Sequence, residues 1–519
     1  MREALTVPAP EAPALIPRPH RLEGRPAVNP VFTALTVTSS ECSARAAALL
    51  QCWAGARPGL AIVPAASQWS ARVVFLDLAP TLGGPEAYDL EITPEGVSIR
   101  AATPEGHLHA VQTLLALASG DEGAHWPAIT IQDAPHFSWR GLLLDSCRHF
   151  ISKPAILRLI DQMAALKMNR LHWHLTDDQG WRLEIKRYPR LTEIGGWRLR
   201  DGVREGGFYT QEDVREIVAH AAARGVEIMP EIELPGHATA AIAAYPELGC
   251  RREPLSVGTA WGIYANNYNA GDDRVFQFLE GVMGEVIELF PFGYVHLGAD
   301  ECLKDEWKRS ADCQRRIAEE KLGDEHGLQT YFINRVASFL RGHGRIAVGW
   351  DEVLEGRISG DMIVECWRDE AIIKLALDRG YRVIASPRRY CYFDIAVSQL
   401  DLADVHAFDP SGGLPPAPNG AAVIGGEATL WTEYITEQEM DHMLFPRLLA
   451  MAEALWCGPQ GKDPFPLFVR RARQVLARLQ AAGIKPGPML KSDGPAESMK
   501  GRTDLHVTPE GLDKLGLGE

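Results

Sequence analysis

No stretch of this chain approaches the roughly 18 to 20 uninterrupted apolar residues that a membrane-spanning helix needs. The opening residues, MREALTVPAPEAPALIPRPH, hold no apolar core of the length a secretory signal requires, and proline recurs through them. Cysteine is sparse and odd in number, nine residues scattered from Cys42 to Cys457 without a CxxC pair. That pattern describes free thiols in a reducing compartment, not a disulfide framework or a zinc knuckle, and leads us to expect a cytoplasmic protein. Positive charge is in deficit, 53 Lys and Arg against 68 Asp and Glu, for a formal net charge of −15. Nucleic acid and anionic membrane are therefore excluded as main partners. What is present is an ordinary globular composition, 46% hydrophobic and 23% charged. The 519 residues suggest two domains, one of them large. Tryptophan is plentiful at thirteen, and its flat apolar face serves ligands as well as cores.

The chain divides into unlike parts. Residues 1–135 read as an α+β domain with little concentrated chemistry. YDLEIT and VSIRAA form a hairpin around PEG, PEGHLHAVQTLLALAS is a helix with an apolar stripe, and PAITIQD closes as a strand. From residue 136 to 488 short apolar runs alternate with helical segments: RGLLLDSC, NRLHWHLTDD, VEIMPEIELP, YVHLGADE, IAVGWDEV, MIVECWRD, YRVIASP and AAVIGGEATLWTE. In TQEDVREIVAHAAARG, Thr210 and Asp213 are spaced as a capping box and Gly225 can end the helix. Eight strand–helix units over about 290 residues predict a (β/α)8 barrel. A doubly wound sheet competes, but the Gly-rich phosphate fingerprint after a first strand is missing. The tail, 489–519, reads as irregular, with a subunit contact as one use for it.

Acids and aromatics collect where the apolar runs stop: Asp177 and Asp178, His237, Asp300 and Glu301, Trp350 and Asp351, Trp367, Tyr392 and Asp394, Trp431 and Glu433. Barrel active sites lie at the C-terminal ends of the strands, so this clustering points to catalysis. Two carboxyls beside tryptophan suggest glycoside hydrolysis. Immediate neighbours cannot readily flank a glycosidic bond as acid and opposed nucleophile. A 2-acetamido sugar removes the difficulty, because its own carbonyl oxygen can attack the anomeric carbon.

HLGADE resembles the H-x-G-G-D-E signature of glycoside hydrolase family 20, the β-N-acetylhexosaminidases. RGLLLDSCRHF, HWHLTDDQGWR, MPEIELPGHA, GWDEV, VECWR, YCYFD and GGEATLWTE resemble family segments in family order, and IPRP resembles the start of the family's non-catalytic domain. The resemblance implies an exo-acting, retaining, cofactor-free enzyme that removes terminal β-linked N-acetylglucosamine or N-acetylgalactosamine through an oxazolinium intermediate. It implies Glu301 as general acid and then base, Asp300 as the group that orients the acetamido N–H, and Tyr392 as donor to its carbonyl. Trp350, Trp367 and Trp431 would wall the pocket. Arg148 and Glu433 would grip hydroxyls at C3 and C4, with Asp394 near C4 and C6. Asp177 and His237 would support Glu301, and His296 would hold the strand end. Family barrels often dimerise, which leaves a homodimer open while the sequence itself does not set the oligomeric state.

Physical chemistry adds one expectation: an ionised Asp300 raises the pKa of Glu301, keeping the acid protonated near neutrality. Ala299 departs from the signature's second glycine, and the stretch after Asp394 lacks a tryptophan found in some members. Rival readings are a catalytically silent sugar-binding protein and a metal-dependent hydrolase using His172 and His174. For those two histidines hydrogen-bonded strand positions are the preferred reading, with no metal expected. Arg148 has a structural ion pair as its alternative.

Overall fold

The computed structural model describes residues 13–25, 29–64, 70–120, 122–415 and 421–493. The irregular tail expected after residue 488 falls outside these residues from 494 onward. Among the described residues no helix is long and apolar enough to cross a membrane.

The chain forms two compact units, residues 1–136, 165–167 and 456–483 in one and the remainder in the other. In the first, a seven-stranded sheet runs in the order Arg21–Gly24, Ile129–Asp133, Tyr88–Thr93, Gly96–Ala101, Ser70–Asp77, Ala34–Thr38, Ala61–Ile62. The predicted hairpin pairs antiparallel from Tyr88↔Ala101 to Thr93↔Gly96, and its first strand buries every second residue. The helix Pro104–Leu117 starts at Thr103, whose side chain accepts from the Gly106 N–H. The unit also takes in the late helix Phe465–Ala481, which sequence reasoning assigned to the barrel. Arg471 Nη1 donates to the Leu15 carbonyl at 2.6 Å and Arg478 Nη1 to that of Ala116 at 2.8 Å.

The second unit is a closed parallel barrel of eight strands. They are β1 (Trp139–Asp145), β2 (Arg170–His174), β3 (Glu227–Leu234), β4 (Tyr294–Gly298), β5 (Ile346–Trp350), β6 (Ile363–Cys366), β7 (Arg382–Ala385) and β8 (Val423–Leu430). All eight lie where the sequence places them. Thr210 and Asp213 close the predicted capping box on the helix Gln211–Ala222. Between β5 and β6 the connection is a 3₁₀ turn, Asp351–Glu355, in place of a full helix.

Side chains alternate along a strand, so every second residue enters the barrel. At the base Trp139, Met229, Val348, Ile363 and Ile384 form an apolar cluster. Two residues further along, Met229 gives way to Glu231, Val348 to Trp350 and Ile363 to Glu365, while Trp139 gives way to Gly141. A Cβ on Gly141 would sit 2.1 Å from Glu427 Oε2, so this glycine yields its volume to a buried carboxylate. Barrel interiors are ordinarily filled by branched apolar side chains. Here a polar layer, His172, Glu231, His296, Glu365 and Glu427, lies under the open end, each fully buried.

Candidate active site

The acid pair follows β4 on a turn in the left-handed backbone region, with φ of +65° at Gly298, +80° at Ala299 and +46° at Glu301. Two side chains brace it. His296 Nδ1 accepts from the Gly298 N–H at 3.0 Å, and Gln329 Nε2 donates to the Ala299 carbonyl at 2.9 Å. The turn aims both acids at one imidazole: His237 Nε2 lies 3.7 Å from Asp300 Oδ2 and 3.6 Å from Glu301 Oε2. The Asp300 side chain is 16% exposed and that of Glu301 35%, so neither carboxyl is sealed from solvent.

Their proton affinities reverse the order expected from sequence. Burial pushes the Asp300 carboxyl up to about 7, against the pull of His237 and with the help of the Glu301 charge. Burial also raises Glu301, but the His237 hydrogen bond and charge, joined by Arg148, bring it below the usual glutamate range. The cation that decides the matter comes from the loop after β3, and nothing in HLGADE reports it. The two carboxyls are thus pushed apart, Asp300 upward by burial and Glu301 downward by His237 and Arg148.

His237 is held from behind. Its Nδ1 is 3.1 Å from Asp178 Oδ2 and 3.3 Å from Asp177 Oδ1, so Asp178 is the nearer partner. Burial pushes His237 down, but the Asp177 charge and these hydrogen bonds raise it well above the ordinary histidine value. Asp178 is fixed in turn by the backbone N–H of Thr239 at 3.0 Å. Asp177 also meets His174 Nε2 at 2.8 Å and Arg148 Nη2 at 2.8 Å. Arg148 makes further bonds to Asp145 at 3.2 Å and Gln179 at 3.1 Å, and its guanidinium lies 5.1 Å from the Trp431 ring. The structural ion pair considered for Arg148 thus exists, on a residue that also lies beside an aromatic of the strand ends. The Glu433 charge, from the end of β8, also bears on it.

The aromatics are contiguous. Trp350 and Trp431 lie 6.0 Å apart, Trp431 and Tyr392 6.4 Å, and Tyr392 and Trp367 6.4 Å. Trp350 donates Nε1 to Glu231 at 2.9 Å and Trp367 to Glu352 at 3.2 Å. Burial, reinforced by Asp394, raises the Tyr392 hydroxyl well above its ordinary value and keeps it a donor. Asp394 is buried two residues on, and Arg447 beneath it donates Nη1 to the Ile395 carbonyl at 2.7 Å. His296 lies inside the barrel, in the polar layer, and is fully buried. Burial drives it down to about 4, against the pull of Glu231 2.8 Å away.

His172 and His174 are committed to carboxylates: His172 Nδ1 meets Glu427 Oε1 at 2.7 Å, and His174 joins Asp177 to Glu231. Sequence reasoning gave no role to Asp178, Glu231 or Glu352. The signal for Glu231 was the alternation Met229–Glu231–Glu233, which turns acids toward the barrel interior.

The family model described as "Glycosyl hydrolase family 20, catalytic domain" matches residues 137–459, and "Glycosyl hydrolase family 20, domain 2" matches 12–134. The chain belongs to glycosyl hydrolase family 20. A "Beta-hexosaminidase" of Porphyromonas gingivalis is 42% identical over 421 residues, covering 77% of this chain and 54% of its own length. This chain thus spans about half of that relative. A "Beta-N-acetylhexosaminidase" of Cellulomonas fimi is 34% identical over 474 residues, covering 87% of this chain and 91% of its own. Among solved structures, a GH20 exo-β-N-acetylglucosaminidase of Vibrio harveyi in complex with N-acetylglucosamine superposes with a TM-score of 0.83 at 31% identity. That match covers 92% of this chain and 78% of the other.

Proposed function

We propose that this family 20 chain is an exo-acting, retaining β-N-acetylhexosaminidase that releases terminal β-linked N-acetylglucosamine or N-acetylgalactosamine by substrate-assisted catalysis. One observation carries the reading: Asp300 and Glu301 each place an oxygen within 3.7 Å of a single nitrogen, His237 Nε2. Two carboxyls so placed serve one side of a sugar, and an enzyme nucleophile opposed to its acid is not what they form. The acetamido carbonyl oxygen of the substrate fills that role. The Vibrio harveyi structure, described as an exo-β-N-acetylglucosaminidase holding N-acetylglucosamine, supports the same substrate class.

In the first step Glu301 gives its proton to the glycosidic oxygen as the C1–O bond breaks and the acetamido oxygen bonds to C1. Asp300, ionised, accepts the acetamido N–H, aligns the attacking oxygen and balances the positive charge of the oxazolinium ring. Tyr392 donates to that oxygen. In the second step water attacks C1 and gives its proton to Glu301 as the bond from C1 to the acetamido oxygen breaks and the amide carbonyl is restored, so configuration is retained. With Asp300 the more basic carboxyl before substrate binds, the proton has to reach Glu301. An acetamido N–H directed at Asp300 favours its ionised form and drives that exchange.

A panel of aryl β-glycosides differing only at C2 and C4 tests the reading. Rapid cleavage of the 2-acetamido glycosides with no cleavage of the plain β-glucoside is the expected result. Equal cleavage of both would overturn it.

A further inference from the structure

An ionised carboxylate only accepts hydrogen bonds, so an imidazole between two of them must donate from both nitrogens. His174 is in that position. Its Nε2 lies 2.8 Å from Asp177 Oδ2, and its Nδ1 is hydrogen-bonded to Glu231 Oε2. The other Glu231 oxygen accepts the Trp350 indole N–H at 2.9 Å. Beyond Asp177 the path divides to Arg148 Nη2 at 2.8 Å and to His237 Nδ1 at 3.3 Å. One unbroken line of polar contacts therefore joins a tryptophan of the aromatic wall to the imidazole facing the acids. Its two central members, Glu231 and His174, are fully buried.

Such a pair is costly to keep. Burying two charges takes several kcal/mol from each before their attraction returns it, and apolar residues of similar volume often serve stability as well or better. The layer just below, Trp139, Met229, Val348, Ile363 and Ile384, is apolar, so the barrel has no general need for charge. The charged layer begins where the strands reach the pocket.

We infer that Glu231 and His174 are positioning residues for the reaction, holding the Trp350 ring in the pocket and setting the Asp177 charge that fixes His237 opposite Asp300 and Glu301. The inference rests on the hexosaminidase reading. The charged groups around His174 are Glu231 and Glu233 from β3, Asp177 after β2, Asp145 from β1, and the neighbouring His172, His296, His237 and Arg148. Of these, Glu231 and Asp177 are its hydrogen-bond partners. Removing the His174 cation leaves the Asp177 charge less balanced, and Asp177 raises the proton affinity of Glu301.

Glu231→Gln keeps the side-chain shape and an acceptor for Trp350 but removes the anion beneath His174. His174→Gln removes the cation and leaves Glu231 in place, and it carries the test should the first variant not fold. With an aryl β-N-acetylglucosaminide, kcat should fall at least tenfold while KM stays within threefold. In His174→Gln, where Glu231 and its charge remain, the alkaline limb of kcat/KM should move up by at least half a pH unit. A thiazoline mimic of the oxazoline, titrated by calorimetry, should bind at least tenfold more weakly. A cooperatively melting variant with wild-type kcat, pH profile and thiazoline Kd overturns the inference. So does a loss of rate that matches the loss of folded protein at every pH. Absent wild-type turnover would refute the activity reading alone, because the thiazoline Kd of variant against wild type still decides the positioning roles.

Discussion

Gly298 stands directly over Glu233: a Cβ built on the glycine would fall 1.8 Å from the Glu233 Oε2 atom. The backbone there is also left-handed, at φ +65°, where an L side chain is strained. Gly298→Ala should therefore displace the turn that presents the acids. We expect a stability loss of about 1–3 kcal/mol, the range for forcing extra volume into a packed site. Turnover should fall at least tenfold in the fraction that remains folded. Urea unfolding read beside the aryl glycoside assay checks both.

One residue on, Ala299 holds φ +80° with its own methyl group in place. An L residue in this region costs roughly 1–2 kcal/mol, of which glycine recovers part and returns about 0.4–1 kcal/mol as unfolded-state entropy. Ala299→Gly should raise the urea midpoint by an amount equivalent to at most about 1 kcal/mol and leave turnover unchanged.

The acid pair shares a proton whose last dissociation lies at about 7, with Asp300 the more basic carboxyl before substrate binds. The productive form has one proton, so kcat/KM should fall as pH rises through about 7. In the substrate complex, where that proton sits on Glu301 beside an ionised Asp300, kcat should hold to higher pH. Asp300→Asn removes the neighbouring carboxylate. Glu301 is then left to His237 and Arg148, which lower it, so the alkaline limb should move to lower pH. Initial rates across pH 4 to pH 9, roughly spanning the carboxyl and histidine ranges, decide the sign.

Tyr392 keeps its proton under burial and the Asp394 charge, and it can only donate to a carbonyl placed before it. Tyr392→Phe should cost on the order of 10²-fold in kcat with a smaller change in KM, as expected when one preorganised donor to a reacting oxygen is lost. Equal loss in kcat/KM for 2-acetamido and plain glycosides would place Tyr392 outside the acetamide site.

The barrel was legible because eight apolar runs alternate with helical segments, and the strand ends, nearly all of them polar or aromatic, placed the acids, His237 and the tryptophans at one end of it. The association of the helix Phe465–Ala481 with the first compact unit was not legible, since an apolar stripe does not name the surface it covers. Nor was the order of the two carboxyls. Adjacency in sequence spoke for repulsion between them, whereas the deciding contact comes from His237, 63 positions before Asp300 in the chain. Glu231 went unassigned for a related reason. Its importance depends on cross-strand register, Glu231 opposite His174 on one side and His296 on the other.

Gly141 and Glu427 end as a matched pair across β1 and β8, the one a hollow and the other its filling. Glu427 uses that space to meet His172 at 2.7 Å and the Trp139 indole at 2.9 Å. Lineages that enlarge position 141 must shorten position 427 in the same history, so the two should covary across family sequences.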